Sequence, residues 1–162
     1  IQLLQKKYNI SFNEMETLAK NNIETKYRID INDNRFYNPS DIEEEIINYY
    51  KETNQGIIEK KDRGIIISSV YNSLSDSYAK YIESLKNILQ KDINYLHIVG
   101  GGSRDKLICK LTKDKTNIKA FAGPVECTAI GNILAQFKSL GLLKNVKEMR
   151  ELVIKSFDIK EI

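Results

Sequence analysis

The 162-residue chain is poor in the residues that build metal centres and nucleophilic sites: it has two cysteines, one histidine and no tryptophan. Cys109 and Cys127 are too few for a disulfide framework, and with His97 alone beside them they do not make a protein-only zinc site. Both read as reduced, structural thiols. No Ser/His/Asp or Cys/His arrangement for nucleophilic catalysis can be assembled. An excess of one charge is also missing. The 25 Lys and Arg stand against 22 Asp and Glu, a net charge of +3, too mild and too evenly spread to expect a nucleic-acid or membrane partner. No apolar run approaches a membrane span and the first residues lack the order of a secretory signal, so a cytoplasmic location is expected. Internal repeats, low-complexity stretches and an interdomain linker are absent from the pattern.

What the chain does have is material for a core. Hydrophobic residues make up 41% of it, which suits one compact domain over residues 1–162. The start, Ile1-Gln2-Leu3-Leu4-Gln5-Lys6-Lys7-Tyr8, is already in a helical pattern with apolar residues spaced for burial and no initiator Met. The chain is therefore expected to be a piece of something longer.

A second helix is expected after Ser11, whose Ser/x/x/Glu spacing to Glu14 is that of a capping box, with Phe12, Met15 and Leu18 as its buried stripe. Tyr27, Ile29 and Ile31 alternate with polar neighbours and predict a short extended segment before the turn-rich Asn32-Asp33-Asn34. Asn38-Pro39-Ser40-Asp41 places a capping residue before Pro, predicting a third helix from there to Gly56 with Ile42, Ile46, Ile47 and Tyr50 inward. From Asp62 to Gln90, the residues Ile66, Val70, Leu74, Tyr78, Tyr81, Leu85 and Leu89 recur at helical spacing and predict one long amphipathic helix. Glu59-Lys60-Lys61-Asp62-Arg63 reads as its solvated entrance. The period then changes. Tyr95–Val99 and Ile118–Phe121 suit short buried parallel strands, each followed by a helix. The later helix should run from Pro124 to Ser139, with Ala129, Ile130, Ile133, Leu134 and Phe137 inward and Gly141 as its stop. A last helix is expected from Asn145, with Glu148 completing the cap.

The chemistry concentrates at the two strand ends. Leu96-His97-Ile98-Val99-Gly100-Gly101-Gly102-Ser103 is an apolar run ending in three glycines, which lets bare backbone come close to a ligand where an α/β sheet places one. Gly-Lys-Ser/Thr does not follow, so this is not a Walker A loop, and the dinucleotide spacing is missing too. The second turn, Ala122-Gly123-Pro124-Val125-Glu126, opens its helix with Pro and a carboxylate, and Glu126 reads as helix-start chemistry rather than as a catalyst. Ala129 and Gly131 fit close helix packing. His97, in mid-strand, reads as a satisfied core histidine.

These two turns, with Leu107, Leu111 and Ile130-Gly131-Asn132, resemble the C-terminal domain of the FGGY carbohydrate kinase family, in its rhamnulose-phosphorylating branch. Ile1-Gln2-Leu3-Leu4-Gln5, Asp33-Asn34-Arg35-Phe36 with Asn38-Pro39, and Lys51-Glu52-Thr53-Asn54-Gln55 agree in order and spacing, so the resemblance covers nearly the whole chain. It implies an α/β fold, the C-terminal half of an actin-like, RNase-H-like ATPase, helix-rich with a small, mostly parallel sheet. It further implies that Gly101 approaches the nucleotide while Gly100 and Gly102 shape the turn, that Gln5 contacts ATP, and that Ser103 supports the site beside Arg104 at the start of the next helix. Gln2 stands where the family has Trp, Asp105 and Cys109 where it has Asn, and Cys127 where it has a small residue.

In the family the catalytic Asp, the sugar pocket and the phosphate loop precede this segment. No catalytic or metal-ligating residue is therefore assigned here. The cofactors implied for the full-length enzyme are ATP and Mg²⁺. The implied partners are an adenine nucleotide and a ketose held by the preceding domain, with self-association through the face that domain would cover. The expected reaction is transfer of the ATP γ-phosphate to L-rhamnulose, giving L-rhamnulose 1-phosphate, with the isolated segment inactive. Two alternatives stand beside it: a fuculose or xylulose kinase of the family, and a non-catalytic nucleotide-binding or interaction module of the same fold.

Overall fold

A computed structural model describes all residues, Ile1–Ile162. They divide into two compact units, Ile1–Ser84 and Leu85–Ile162.

The first unit is helical. It contains α1 (Gln2–Tyr8), α2 (Phe12–Asn21), a 3-10 turn at Asn34–Phe36, α3 (Ile42–Glu52) and α4 (Arg63–Leu89), whose last residues lie beyond the division. Ser11 and Glu14 form the expected capping box at α2. Met15 is buried as expected, together with Ala19, while Leu18 is half-buried and Phe12 is 51% exposed. The extended segment around Tyr27–Ile31 joins no sheet. Gln55 stands in for a neighbouring strand: its Oε1 accepts from Arg28 N at 2.8 Å and its Nε2 donates to Arg28 O at 2.7 Å. Helix α3 starts later than Asn38-Pro39 suggested. Asp41 is the cap, its Oδ1 accepting from Glu43 N and Glu44 N at 3.0 and 3.2 Å, which satisfies two free amides that Asn38 is too far away to reach. It ends at Glu52, ahead of Gly56.

The long helix is confirmed within a residue at each end, but its burial is not a single stripe. From Ile66 to Ser75 nearly every residue is buried, including Ser68, Ser69, Asn72, Ser73 and Ser75. Buried polar groups are as a rule bonded, and Ser69, Ser73 and Ser75 return their hydroxyls to the helix's own carbonyls, whereas Ser68 Oγ has no hydrogen-bond partner. Ser69 Oγ donates to Ile66 O at 2.8 Å, Ser73 Oγ to Ser69 O at 2.7 Å and Ser75 Oγ to Tyr71 O at 3.0 Å. Tyr50 Oη hydrogen-bonds Ser69, Asn72 Nδ2 donates to Ile23 O at 2.9 Å, and Ser73 Oγ accepts from Ile29 N at 2.9 Å. Around them lie Leu4, Tyr8, Ile46, Ile47, Ile66, Ile67 and Tyr71, each contributing about 1.5–3 kcal/mol on leaving water. Tyr78, Tyr81, Leu85 and Leu89, expected to continue the stripe, are exposed.

The second unit carries the sheet. Its elements are β1 (Tyr95–Ile98), a 3-10 turn Gly100–Arg104, α5 (Lys106–Thr116), β2 (Lys119–Ala122), α6 (Cys127–Ser139), α7 (Val146–Ser156) and β3 (Lys160–Glu161). Strand order is β1-β2-β3. β1 and β2 run parallel from Tyr95 opposite Lys119 to Ile98 opposite Ala122, and β3 adds two antiparallel residues beside Phe121 and Ala122. This is the small, mostly parallel sheet of a helix-rich α/β fold. Leu107, Ile108, Cys109, Ile118, Ala120, Ile130 and Leu134 form its core.

Three expectations here need correction. Helix α6 begins at Cys127, not at Pro124, and a turn at Val125 and Glu126 precedes it; the Gly123–Pro124 peptide is cis. Of its proposed inward residues, Ile130 and Leu134 are buried while Ala129, Ile133 and Phe137 are exposed, since a single i, i+4 ridge is what this helix packs. His97 is exposed, not a core residue, and stacks on Phe121 at 5.2 Å. Gly141 does stop α6, at φ +75, with Leu142 N donating to Phe137 O at 2.9 Å in a Schellman closure. Asn145 caps α7 through Glu148 N. No helix is long and apolar enough to cross a membrane.

Candidate functional site

The end of β1 and the end of β2 are fastened to each other beyond the last residues of the strands. Gly123 N donates to Ile98 O at 2.9 Å, and Gly100 N donates to Pro124 O at 3.3 Å. The parallel ladder therefore extends into both turns, and the glycine turn leaves the sheet from a fixed point. Gly100 sits at φ +74 and Gly123 at φ +102, a region open to glycine and costly for L side chains. At Gly123 a Cβ would also lie 3.1 Å from Asp158 O. Packing and backbone account for that glycine.

Gly101 and Gly102 are different. Neither has a positive φ, and a Cβ on either would meet nothing of the chain within 4 Å. Both are exposed. The fold does not require glycine at these positions; what their bareness provides is open space directly above the backbone.

The carbonyls of the turn are drawn back toward the protein. Ser103 Oγ donates to Gly100 O at 2.7 Å, Asp105 N to Gly102 O at 3.1 Å, and Cys109 Sγ lies 3.5 Å from Gly102 O. Burial, followed by the charge of Asp105, pushes the Cys109 thiol up to about 11, so it stays protonated as a weak donor. Asp105 is the cap of α5, accepting from Ile108 N at 3.0 Å. This moves the helix start: Ser103 and Arg104 belong to the 3-10 turn, and α5 opens at Lys106. The signal for this cap in the sequence is an Asp three residues before Ile108 at the head of an apolar helical pattern. The carbonyl of Pro124, which holds Gly100, had no signal of its own.

Gln5 lies in the first unit, half-buried on α1, where its Nε2 donates to Ile10 O at 2.6 Å. Glu126 stands at the cap position of α6 but makes no side-chain cap bond. Both cysteines are free thiols. No group of three or more His, Cys, Asp or Glu side chains could hold a metal ion. A turn of this construction can bind a ligand at close range, but it brings no acid, base or nucleophile to it.

Residues 9–140 match the C-terminal domain of the FGGY family of carbohydrate kinases. The chain belongs to this family. Among its relatives are proteins named rhamnulokinase. That of Lactiplantibacillus plantarum is 41% identical over 150 residues, 93% of this chain and 30% of that protein. That of Bacillus subtilis is 37% identical over 159 residues, 98% of this chain and 32% of its own length. In Halalkalibacterium halodurans the identity is 36% over 162 residues, 99% of this chain and 34% of the relative. The chain thus spans about a third of the length of the curated relatives it matches, and the family resemblance drawn from its motifs is borne out.

Proposed function

We propose that this chain is the ATP-side part of a sugar kinase that transfers the ATP γ-phosphate to L-rhamnulose, giving L-rhamnulose 1-phosphate. The carrying observation is the open backbone at Gly101 and Gly102: a ligand can approach it closely, and nothing in the fold accounts for it. On this reading Gly101 lies against the nucleotide, Gly100 and Gly102 set the turn, Ser103 braces it through Gly100 O, and Gln5 makes a separate nucleotide contact. The rhamnulose assignment follows the names of the relatives.

Phosphoryl transfer is catalysed by positioning and charge stabilisation, and needs a base for the acceptor hydroxyl. This chain supplies the positioning of the nucleotide. The base and the sugar pocket belong to the rest of the full-length protein. So do the ligands of Mg²⁺, since the donor set of this chain does not fit a metal. The segment alone accordingly transfers no phosphate.

The test is ADP release by the full-length gene product with Mg-ATP and a panel of rhamnulose, fuculose, xylulose and glycerol. Turnover selective for rhamnulose supports the proposal. Preference for another ketose keeps the kinase and replaces its acceptor. ATP binding without sugar-dependent turnover overturns the kinase reading in favour of a nucleotide-binding module.

A further inference from the structure

Gln5 depends on a helix that has little to hold it in place by itself. α1 is seven residues long, its cap residue Ile1 makes no side-chain bond, and its first turn carries no acid. Isolated helices of this length are not stable in water. Its placement is set by α3 and by the start of α4. Glu43, 4% exposed in the first turn of α3, accepts a hydrogen bond from Tyr8 Oη at 2.8 Å and lies 3.7 Å from Lys7 Nζ. Lys7 reaches Asp41 at 2.6 Å, and the Arg63 guanidinium lies 4.8 Å from the centre of the Tyr8 ring. A buried carboxylate is costly unless it is paired and hydrogen-bonded. Glu43 meets that condition with α1 in this position, through the two residues that close the helix.

On Gln5 itself, Nε2 is committed to Ile10 O, while Oε1 has no partner within the chain. The unused atom is an acceptor. Phosphate oxygens are acceptors as well, so they do not pair with it; an amine or a hydroxyl does.

We propose that Glu43 is a positioning residue for nucleotide binding: by fixing α1 through Tyr8 and Lys7, it presents Gln5 Oε1 to a hydrogen-bond donor on the nucleoside part of ATP. The proposal rests on the reading of Gln5 as a nucleotide contact.

The experiment uses the full-length kinase with Glu43→Ala, Glu43→Gln, Tyr8→Phe, Gln5→Ala and the Glu43→Ala/Gln5→Ala double variant, each checked for folding by its melting temperature. Glu43→Ala should raise the KM for ATP about fivefold, as expected for one lost hydrogen bond, with kcat and the KM for the ketose unchanged. Glu43→Gln, which keeps an acceptor for Tyr8 Oη, should restore most of that loss. Tyr8→Phe, which keeps the ring, should shift the same constant in the same direction. Glu43→Ala should add nothing in the Gln5→Ala background, and Gln5→Ala should weaken ATP, ADP and adenosine by the same factor. If Gln5→Ala weakens ATP while Glu43→Ala and Tyr8→Phe do not, or if the two losses add, the role of Glu43 is overturned and the Gln5 contact survives. A loss confined to ATP overturns the nucleoside assignment. If Gln5→Ala changes no nucleotide affinity, the Gln5 contact itself falls and the role of Glu43 with it.

Discussion

The two units solve different problems with similar amounts of chain. In Ile1–Ser84 the centre of α4 is surrounded, and even Ser69, Ser73, Ser75 and Asn72 are buried and bonded. In Leu85–Ile162 the sheet is short, β1 alternates between exposed and half-buried residues, and Tyr95, Val99, Ile133 and Phe137 remain exposed. The open glycine turn belongs to this sparser unit. The first unit packs a dense core around the centre of α4 and bonds most of the polar side chains it buries there. The second leaves open space over Gly101 and Gly102, on a turn that hydrogen bonds fasten to the sheet end.

The contrast can be broken most forcefully in the cores. Ile66→Ala should cost about 4 kcal/mol, and Leu134→Ala about 2 kcal/mol because Ile133 and Phe137 on the same helix are already in water. Amide hydrogen exchange of the full-length protein, read peptide by peptide, measures each unit separately. Equal losses of protection would erase the difference. Next come the glycines. Gly123→Ala combines a φ of +102 with a Cβ 3.1 Å from Asp158 O and should cost about 2–3 kcal/mol. Gly101→Val should leave protection within about 0.5 kcal/mol while raising the KM for ATP about tenfold, roughly 1.4 kcal/mol. A drop in protection equal to that of Gly123→Ala would show that Gly101 serves the fold.

Smaller effects test what the units share. Ser11→Ala and Asn145→Ala remove equivalent caps and should each cost about 1 kcal/mol, seen as local loss of protection in α2 and α7. The weakest lever is pH. Burial raises the Cys109 thiol from 9.0 to about 11, so the folded state favours the protonated form. Its contribution is complete below pH 9.0 and is lost as pH rises toward 11. Cys109→Ser should flatten that decline in the second unit and leave the first unchanged, as followed by exchange-independent melting across this pH range.

Strong local chemistry was readable in advance. The long helix, the caps at Ser11 and Asn145, the stop at Gly141 and both parallel strands came from spacing and single residues whose mechanism is local. What was missed depended on tertiary neighbours. Ser69 and Ser73 look like part of a polar helix face, and their bonds to α4 carbonyls, to Tyr50 and to Ile29 N are what let them be buried. Lys160–Glu161 is too short and too charged to announce a strand. Ile133 and Phe137 have helical spacing, yet spacing says which residues share a face and not whether anything covers it. At the candidate site, the three glycines stood out as one motif, but the separate reasons for Gly100 and for Gly101 with Gly102 emerge only once backbone angles and empty space are known.

The paired bonds from Ile98 O to Gly123 N and from Pro124 O to Gly100 N carry a lesson for anyone transplanting this turn. The two loops, more than twenty residues apart in the chain, make one mechanical part. A graft that moved Gly100–Ser103 into another member of the family without the Gly123–Pro124 partner would carry the letters of the motif and lose its anchorage. Recombination within the family should therefore tolerate crossovers before Tyr95 or after Ser139 far better than between the two turns.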